Sequence, residues 1–138
     1  MSATWEIQKA LYNTLKNDST FMNLINNRIY DEPPTNSQYP YVVIGDCTEI
    51  PDNRLIKNGY EVTATFFIYT KDGGLGYYKG KQIYKEMNRL LNVKKPSLDT
   101  LNMVICQLDN TYTDREDDKR VINVRYRVIA HDDSINTF

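Results

Sequence analysis

Few residues in this 138-residue chain have side chains suited to acid–base, redox or metal chemistry. There is one histidine, His131, and there are two cysteines, Cys47 and Cys106. No Cys, Asp or Glu stands at ligand or triad spacing from His131, which predicts a structural or surface role for it. Cys106 lies in an apolar run and is predicted to be a small buried side chain. The sequence therefore predicts no catalytic residue, no metal ligand and no bound cofactor.

The glycine-rich segment 73–81 is the one motif with the composition of a phosphate-binding loop, since it lies between a predicted strand and a predicted helix. A dinucleotide-binding fingerprint that begins at Gly74 needs a glycine where Lys79 stands. A P-loop needs Ser or Thr where Gln82 stands. We therefore interpret the segment as a flexible loop whose glycines permit positive φ before a helix.

Acidic side chains are concentrated in two polar segments that are predicted to be loops. One of them begins at Asp46 and includes Asp52. The other lies within residues 113–120 and contains Asp114, Glu116, Asp117 and Asp118. This second segment lacks the central glycine and the closing glutamate of an EF-hand loop, and its basic neighbours oppose a cation. It is predicted to be a solvated hairpin tip.

Basic side chains line the outward face of the last predicted strand, where Arg125 and Arg127 alternate with apolar residues. Ion pairs with Glu61 or with a neighbouring subunit explain these arginines as well as phosphate contacts do. The whole chain has 17 basic and 18 acidic residues, a net charge of -1. That balance excludes a strongly basic nucleic-acid-binding domain.

The periodicity of apolar residues along the chain predicts the helices and strands that position these side chains. Helices are predicted over residues 2–17, 20–26 and 76–91, and strands over 28–30, 41–45, 60–69, 101–108 and 121–131. The order is α-α-(β)-β-β-α-β-β, with a long polar loop over 46–58. Strands that alternate polar and apolar residues are typical of an antiparallel sheet covered on one face. The predicted fold class is α+β, a mainly antiparallel four- to five-stranded sheet with helices on one face.

The chain is predicted to form one domain over residues 1–131, followed by a loose tail over 132–138. No stretch approaches the roughly 18 apolar residues of a membrane span. The first residues have neither a basic nor an apolar signal region, so no secretory signal is expected. A reducing compartment follows, in which a disulfide between the two cysteines is not expected.

Four short motifs, in their order along the chain, carry a resemblance to a known family. They occupy residues 7–12, 27–30, 39–45 and 59–70, and the last leads into the glycine-containing loop and its helix. Together they resemble the tail completion (tail-to-head joining, or tail terminator) proteins of long-tailed, non-contractile bacteriophages. The resemblance covers residues 5–131.

The resemblance implies a virion assembly protein and not an enzyme. Such a protein forms a hexameric ring that caps the finished tail tube, stops its polymerisation and joins the tail to the head connector. Its implied partners are the major tail tube protein and a head completion or connector protein, and phage DNA passes through without specific binding. It is expected in the host cytoplasm during assembly and then at the tail–head junction.

For this ring we expect the acidic segments and the outward arginines to lie at interfaces or to face the channel. They are Asp46, Asp52, Asp114, Glu116, Asp117, Asp118, Arg125 and Arg127. Two alternatives stay open at this point. One is an interaction or scaffolding domain of another prophage or bacterial assembly, and the other is a nucleotide-binding enzyme.

Overall fold

The computed structural model describes residues 3–52, 59–71 and 76–131. Its elements are α1 (Ala3–Lys16), α2 (Ser19–Leu24), β1 (Ile29–Tyr30), β2 (Tyr41–Asp52), β3 (Gly59–Lys71), α3 (Gly76–Leu91), β4 (Asn102–Glu116) and β5 (Lys119–His131). The predicted order of helices and strands is confirmed, and so is the α+β class. No helix in these ranges is long and apolar enough to cross a membrane.

The five strands form one sheet in the order β1-β2-β3-β5-β4. The pairs β2–β3, β3–β5 and β5–β4 are antiparallel. The two-residue strand β1 is parallel to β2, because residues 31–40 carry the chain back along the sheet before β2 begins. The sheet is therefore mixed, and at β1 it departs from the mainly antiparallel pattern that alternation predicted.

Two predicted loops are strands in the structure. Residues 46–52 continue β2 beyond a bulge between Ile44 and Cys47, and residues 109–116 continue β4 beyond a bulge near Asn110. Backbone pairing with β3 and β5 outweighs the polar composition of both segments, because strand formation depends more on pairing and packing than on intrinsic preference. The rest of the predicted 46–58 loop, residues 53–58, lies outside the described residues. The peptide bond between Tyr39 and Pro40 is cis and not the trans form expected by default.

The hydrophobic core lies between the helices and one face of the sheet. From α1 it takes residues at helical spacing, among them Ile7, Leu11 and Leu15, and from α3 it takes Ile83, Met87 and Leu91. The sheet contributes alternate residues: Val62, Ala64, Phe66 and Ile68 of β3, and Ile122, Val124, Tyr126, Val128 and Ala130 of β5. The period-2 pattern read from the sequence therefore assigned the inward residues of both strands correctly.

Helix α2 begins where Asp18 caps it. The Asp18 Oδ2 atom accepts a hydrogen bond from the backbone N–H of Phe21 at 2.9 Å, satisfying one of the free N–H groups of the first turn. The same oxygen lies 2.9 Å from Nη2 of Arg89, so the cap also links α2 to the end of α3. The sequence signal for this start, an Asn-Asp-Ser break after α1, is confirmed.

Candidate interaction surface

The face of the sheet that turns away from the helices holds the outward arginines of β5, Arg125 and Arg127. We call it the open face. The β3–β5 register places Thr63, Thr65 and Phe67 beside Arg127, Arg125 and Asn123, one pair after another along the strands. On the outer side of β5, the β4 register adds Gln107, Asn110 and Tyr112. The helices pack on the other face, and Asn110, Tyr112 and Arg125 are exposed, whereas Asn123 is buried.

Arg127 is engaged within the chain. Its Nε atom donates to Oε1 of Glu61 at 2.6 Å, with both side chains about one-third to one-quarter exposed. For Arg127 alone, this ion pair is the pairing with Glu61 that the sequence left open. At this exposure its contribution to stability is small.

Arg125 lies in a different environment, in a cleft of about 150 Å³ near the middle of the open face. Within the described part of the chain it forms no ion pair. We call this feature the Arg125 cleft; its walls are Asp46, Thr65, Phe67, Asn110, Tyr112 and Asn123. The cleft joins Asp46 and Arg125, two predicted site residues that are 79 positions apart.

The Arg125 cleft owes its shape to the two bulges in the sheet. One bulge lies between Ile44 and Cys47, next to Asp46, and the other lies between Leu108 and Asn110. A bulge inserts an extra residue and re-aims a side chain out of the regular alternation. Asp46 and Asn110 are thereby placed on either side of Thr65 and Arg125. Alternation alone could not have predicted this, because a bulge shifts the strand's register.

A group of tyrosines occupies one end of the open face. The ring of Tyr41 lies 5.0 Å from that of Tyr69, 5.3 Å from that of Tyr39 and 6.0 Å from that of Tyr30, centroid to centroid. The ammonium group of Lys119 lies 5.0 Å above the Tyr69 ring, a cation–π geometry. Burial, followed by the neighbouring tyrosines, raises the pKa of Tyr41 to about 12. The four rings form an aromatic rim at this end of the open face.

The second acidic segment is the end of the β4–β5 hairpin. Glu116 is paired with Lys119, so Asp117 and Asp118 alone form the turn. Asp117 has φ 52°, a left-handed conformation that Asp tolerates better than most residues. Asp114 and Glu116 are exposed like the two turn residues, so this end of the hairpin is solvated as predicted, although residues 113–116 are strand and not loop. Among the described residues, no group of three or more His, Cys, Asp or Glu is placed to hold a metal ion.

A groove of about 410 Å³ runs along α1 at the β1 side of the sheet. The side chains of Trp5, Tyr12, Ile29 and Ile44 form much of its wall, and Trp5 is 52% exposed. The groove exists because β1 pairs only with Val42 and Val43, so the outer edge of β2 continues past the end of β1. No sequence pattern predicted this groove, because it depends on the short length of β1.

Packing accounts for Gly80 and Cys106 among the remaining residues that the sequence singled out. Residues 72–75 of the glycine-rich segment lie outside the described residues. A Cβ atom on Gly80 would stand 2.7 Å from Cδ1 of Ile122, so this glycine allows α3 to approach β5 closely. His131 is partly buried at the end of β5, opposite Gly59 and Asn102. Cys106 is fully buried, as predicted, and Cys47 is partly buried. Asp52 ends β2, paired with Gly59.

The fold is shared with proteins of phage-like particles. One chain in the structure described as the virion of a native gene transfer agent particle aligns with a TM-score of 0.74 and 21% identity, covering 95% of this chain and 99% of that chain. The structure of the bacteriophage SPP1 gp17 protein aligns with a TM-score of 0.57 and 24% identity, over 90% of this chain and 89% of that one. No curated protein sequence matches this chain.

The chain is a small α+β domain with helices on one face of a mixed sheet and polar side chains on the other. The two similar structures share this fold. Residues 9–131 match the family described as Tail completion protein gp17. The chain belongs to that family, as the sequence resemblance predicted. It is a phage structural protein that acts in tail assembly.

Proposed function

We propose that this protein assembles into a hexameric ring that caps the completed tail tube, stops its polymerisation and joins the tail to the head connector. The observation that carries the proposal is the family match over residues 9–131. A ring is a closed assembly in which one patch of each subunit meets a different patch on the next. The Arg125 cleft, the groove beside Trp5 and the acidic turn are three dissimilar patches of this kind.

The major tail tube protein contacts one side of the ring, and a head completion or connector protein contacts the other. The protein has no enzymatic role in this proposal. Phage DNA passes through the ring without specific binding, which the chain's net charge of -1 supports. A DNA-binding protein neutralises phosphates with many Lys and Arg side chains, and that would hinder DNA exit.

One of the two acidic segments, the hairpin tip or the segment that begins at Asp46, supplies the surface that faces the DNA channel or the adjacent ring. The candidates are the exposed Asp46, the end of β2 at Asp52, and the four exposed carboxylates of the hairpin tip. Reversing the charges of Asp114, Glu116, Asp117 and Asp118 to Lys should block DNA exit or tail joining, whereas Glu32→Lys, at an exposed position outside both segments, should not. An unchanged phage titre in the fourfold variant would reject this role.

Electron microscopy of lysates from a phage that lacks the gene tests the whole proposal. Detached full heads beside overlong or unstable tails are the expected result, because neither tube termination nor joining takes place. Wild-type protein supplied from a plasmid should restore joined virions. Normal virions without the protein would overturn the proposed function.

A further inference from the structure

We propose that Asp117 and Asp118 in the β4–β5 turn of one copy dock into the Arg125 cleft of a second copy. The inference rests on the proposed ring and names the two surfaces that meet in it. The occupant is a second copy of this chain, and the contact is a carboxylate bound by a guanidinium.

The Arg125 cleft has the chemistry to bind a carboxylate. Arg125 presents a planar set of N–H donors that matches the two carboxylate oxygens, and it has no ion-pair partner within the described ranges. The amides of Asn110 and Asn123 and the hydroxyl of Tyr112 add neutral donors on the walls. Asp46 also lines the cleft, but it makes no ion pair with Arg125, so the guanidinium remains available.

The volume of the cleft suits a side chain better than a free ligand. At about 150 Å³ it lies below the roughly 300–1,000 Å³ of typical small-molecule sites. The short side chain of Asp fits a shallow cleft. A two-residue turn can insert it without placing other bulky groups in the cleft. Tyr112 at the rim is 57% exposed, so a docking partner would cover it.

The turn of the same chain cannot reach this cleft. Arg125 lies six residues along β5 from Lys119, which is about 20 Å at the rise of an antiparallel strand. The turn stands at the far end of the hairpin, where Asp117 and Asp118 are exposed and form no ion pair within the described ranges. The cleft carries one guanidinium, that of Arg125, beside the carboxylate of Asp46, and the turn carries two carboxylates. Arg125 and the turn cannot meet within one copy, but they can meet between two copies. Because the two patches differ, the contact is heterologous and continues from subunit to subunit.

A charge exchange tests the contact by plasmid complementation of a phage that lacks the gene. Arg125→Glu alone, and Asp117→Asn with Asp118→Lys, should each lower the titre about tenfold or more, the usual scale for a broken charge pair at an interface. Asn is chosen at 117 because it tolerates the left-handed backbone there. The variant with all three changes should recover most of the titre. Lys85→Glu, an exposed control on α3, should leave it unchanged.

If Arg125→Glu leaves the titre unchanged, or if the combined variant is no better than the worse of its parents, the turn does not dock in the cleft. A role for Arg125 in binding DNA phosphates, or for the turn in lining the channel, predicts loss without recovery. Thermal melting of each purified variant shows whether a loss of titre is merely a loss of folding.

Cysteine cross-linking in purified virions gives a second test. A chain with Arg125→Cys and Asp118→Cys should form a ladder of covalent multimers on non-reducing gels. The two sites are too far apart for a disulfide within one copy, which needs Cα atoms within about 7 Å. Lys85→Cys with Asp118→Cys is the matched control, and each single change reports the background from Cys47 and Cys106. Absence of the ladder would overturn the contact, whereas normal virions without the gene would overturn the proposed function itself.

Discussion

The carboxylate of Glu6 in α1 binds the segment that leads into β4, 94 residues away along the chain. Its Oε1 atom accepts a hydrogen bond from the backbone N–H of Thr100 at 2.8 Å and another from Leu101 at 3.3 Å. Its Oε2 atom accepts one from the Thr100 hydroxyl. Glu6 is only 2% exposed, so these donors replace water for a buried charge. The first helix and the edge strand are held together by this carboxylate.

Removing the Glu6 carboxylate should destabilise the protein measurably. Glu6→Ala leaves two backbone donors and a hydroxyl without their acceptor, and we expect a loss of about 2 kcal/mol in the free energy of unfolding. Urea denaturation measures it. The control is Lys9→Ala, which breaks the ion pair between the same helix and Asp99. Both partners of that pair are about half exposed, so its loss should cost no more than about 0.5 kcal/mol. Equal losses would contradict the role given to Glu6.

The same carboxylate should make stability depend on acid pH. Burial opposes its charge, but the hydrogen bonds from Thr100 and Leu101 outweigh burial, and the pKa of Glu6 is lowered from 4.5. A group with a lowered pKa in the folded state contributes stability that is present above its ordinary pKa and is lost as pH falls through the folded value. Glu6→Gln should therefore lose less stability than the wild type below pH 4.5. Parallel curves of melting temperature against pH would contradict this.

Local pattern predicted most of the fold, because it reports which face of an element is buried. The inward residues of β3 and β5 and the spacing of α1 and α3 could be read directly. The full lengths of β2 and β4 could not, because residues such as Asp52 and Asp114 favour turns when judged alone. The strand conformation of these two comes from pairing with β3 and with β5, contacts that no local signal encodes. The parallel pairing of β1 was missed for the same reason.

The candidate surface was predictable in its residues but not in its arrangement. The sequence indicated Asp46, Arg125 and Arg127, yet it gave the two arginines one shared explanation. The structure separates them, since Arg127 pairs with Glu61 and Arg125 stands in a cleft. That difference depends on two bulges, whose positions follow from tertiary packing.

Gly80 should be intolerant of a side chain because α3 approaches β5 closely there. The Cβ of Gly80→Ala would stand 2.7 Å from Cδ1 of the buried Ile122. We expect a loss of about 1–3 kcal/mol from overpacking, which exceeds the gain in helix propensity. Ile122→Val removes the clashing methyl and alone should cost about 1 kcal/mol. In denaturation experiments the double variant should be no less stable than Ile122→Val. A double variant in which the two losses add would contradict the steric account.

Val93 should be replaceable with a gain in stability. It follows α3 with φ 58°, a left-handed conformation that is unfavourable for a β-branched residue. Its side chain is 67% exposed, so little packing is lost when it is changed. Asn adopts this conformation more readily, and Val93→Asn should raise the free energy of unfolding by about 1 kcal/mol. Val43→Asn, at a regular strand position of β2, should instead destabilise. Thermal melting distinguishes the two, and a destabilised Val93→Asn would refute the strain at this site.

The two cysteines should differ in their reactivity towards thiol reagents. Burial raises the pKa of Cys106 to about 12, and burial together with the nearby Asp46 raises the pKa of Cys47. The thiolate is the reactive species, so both should be slow at pH 8. Cys47 is only partly buried, so we expect a local opening to expose it, whereas exposure of Cys106 requires β4 to separate from its neighbours. Labelling of the native protein should show one slow phase, absent in Cys47→Ser, and a much slower second phase. In denaturant both thiols should react rapidly and at the same rate. Equal rates in the native protein would contradict the burial of Cys106.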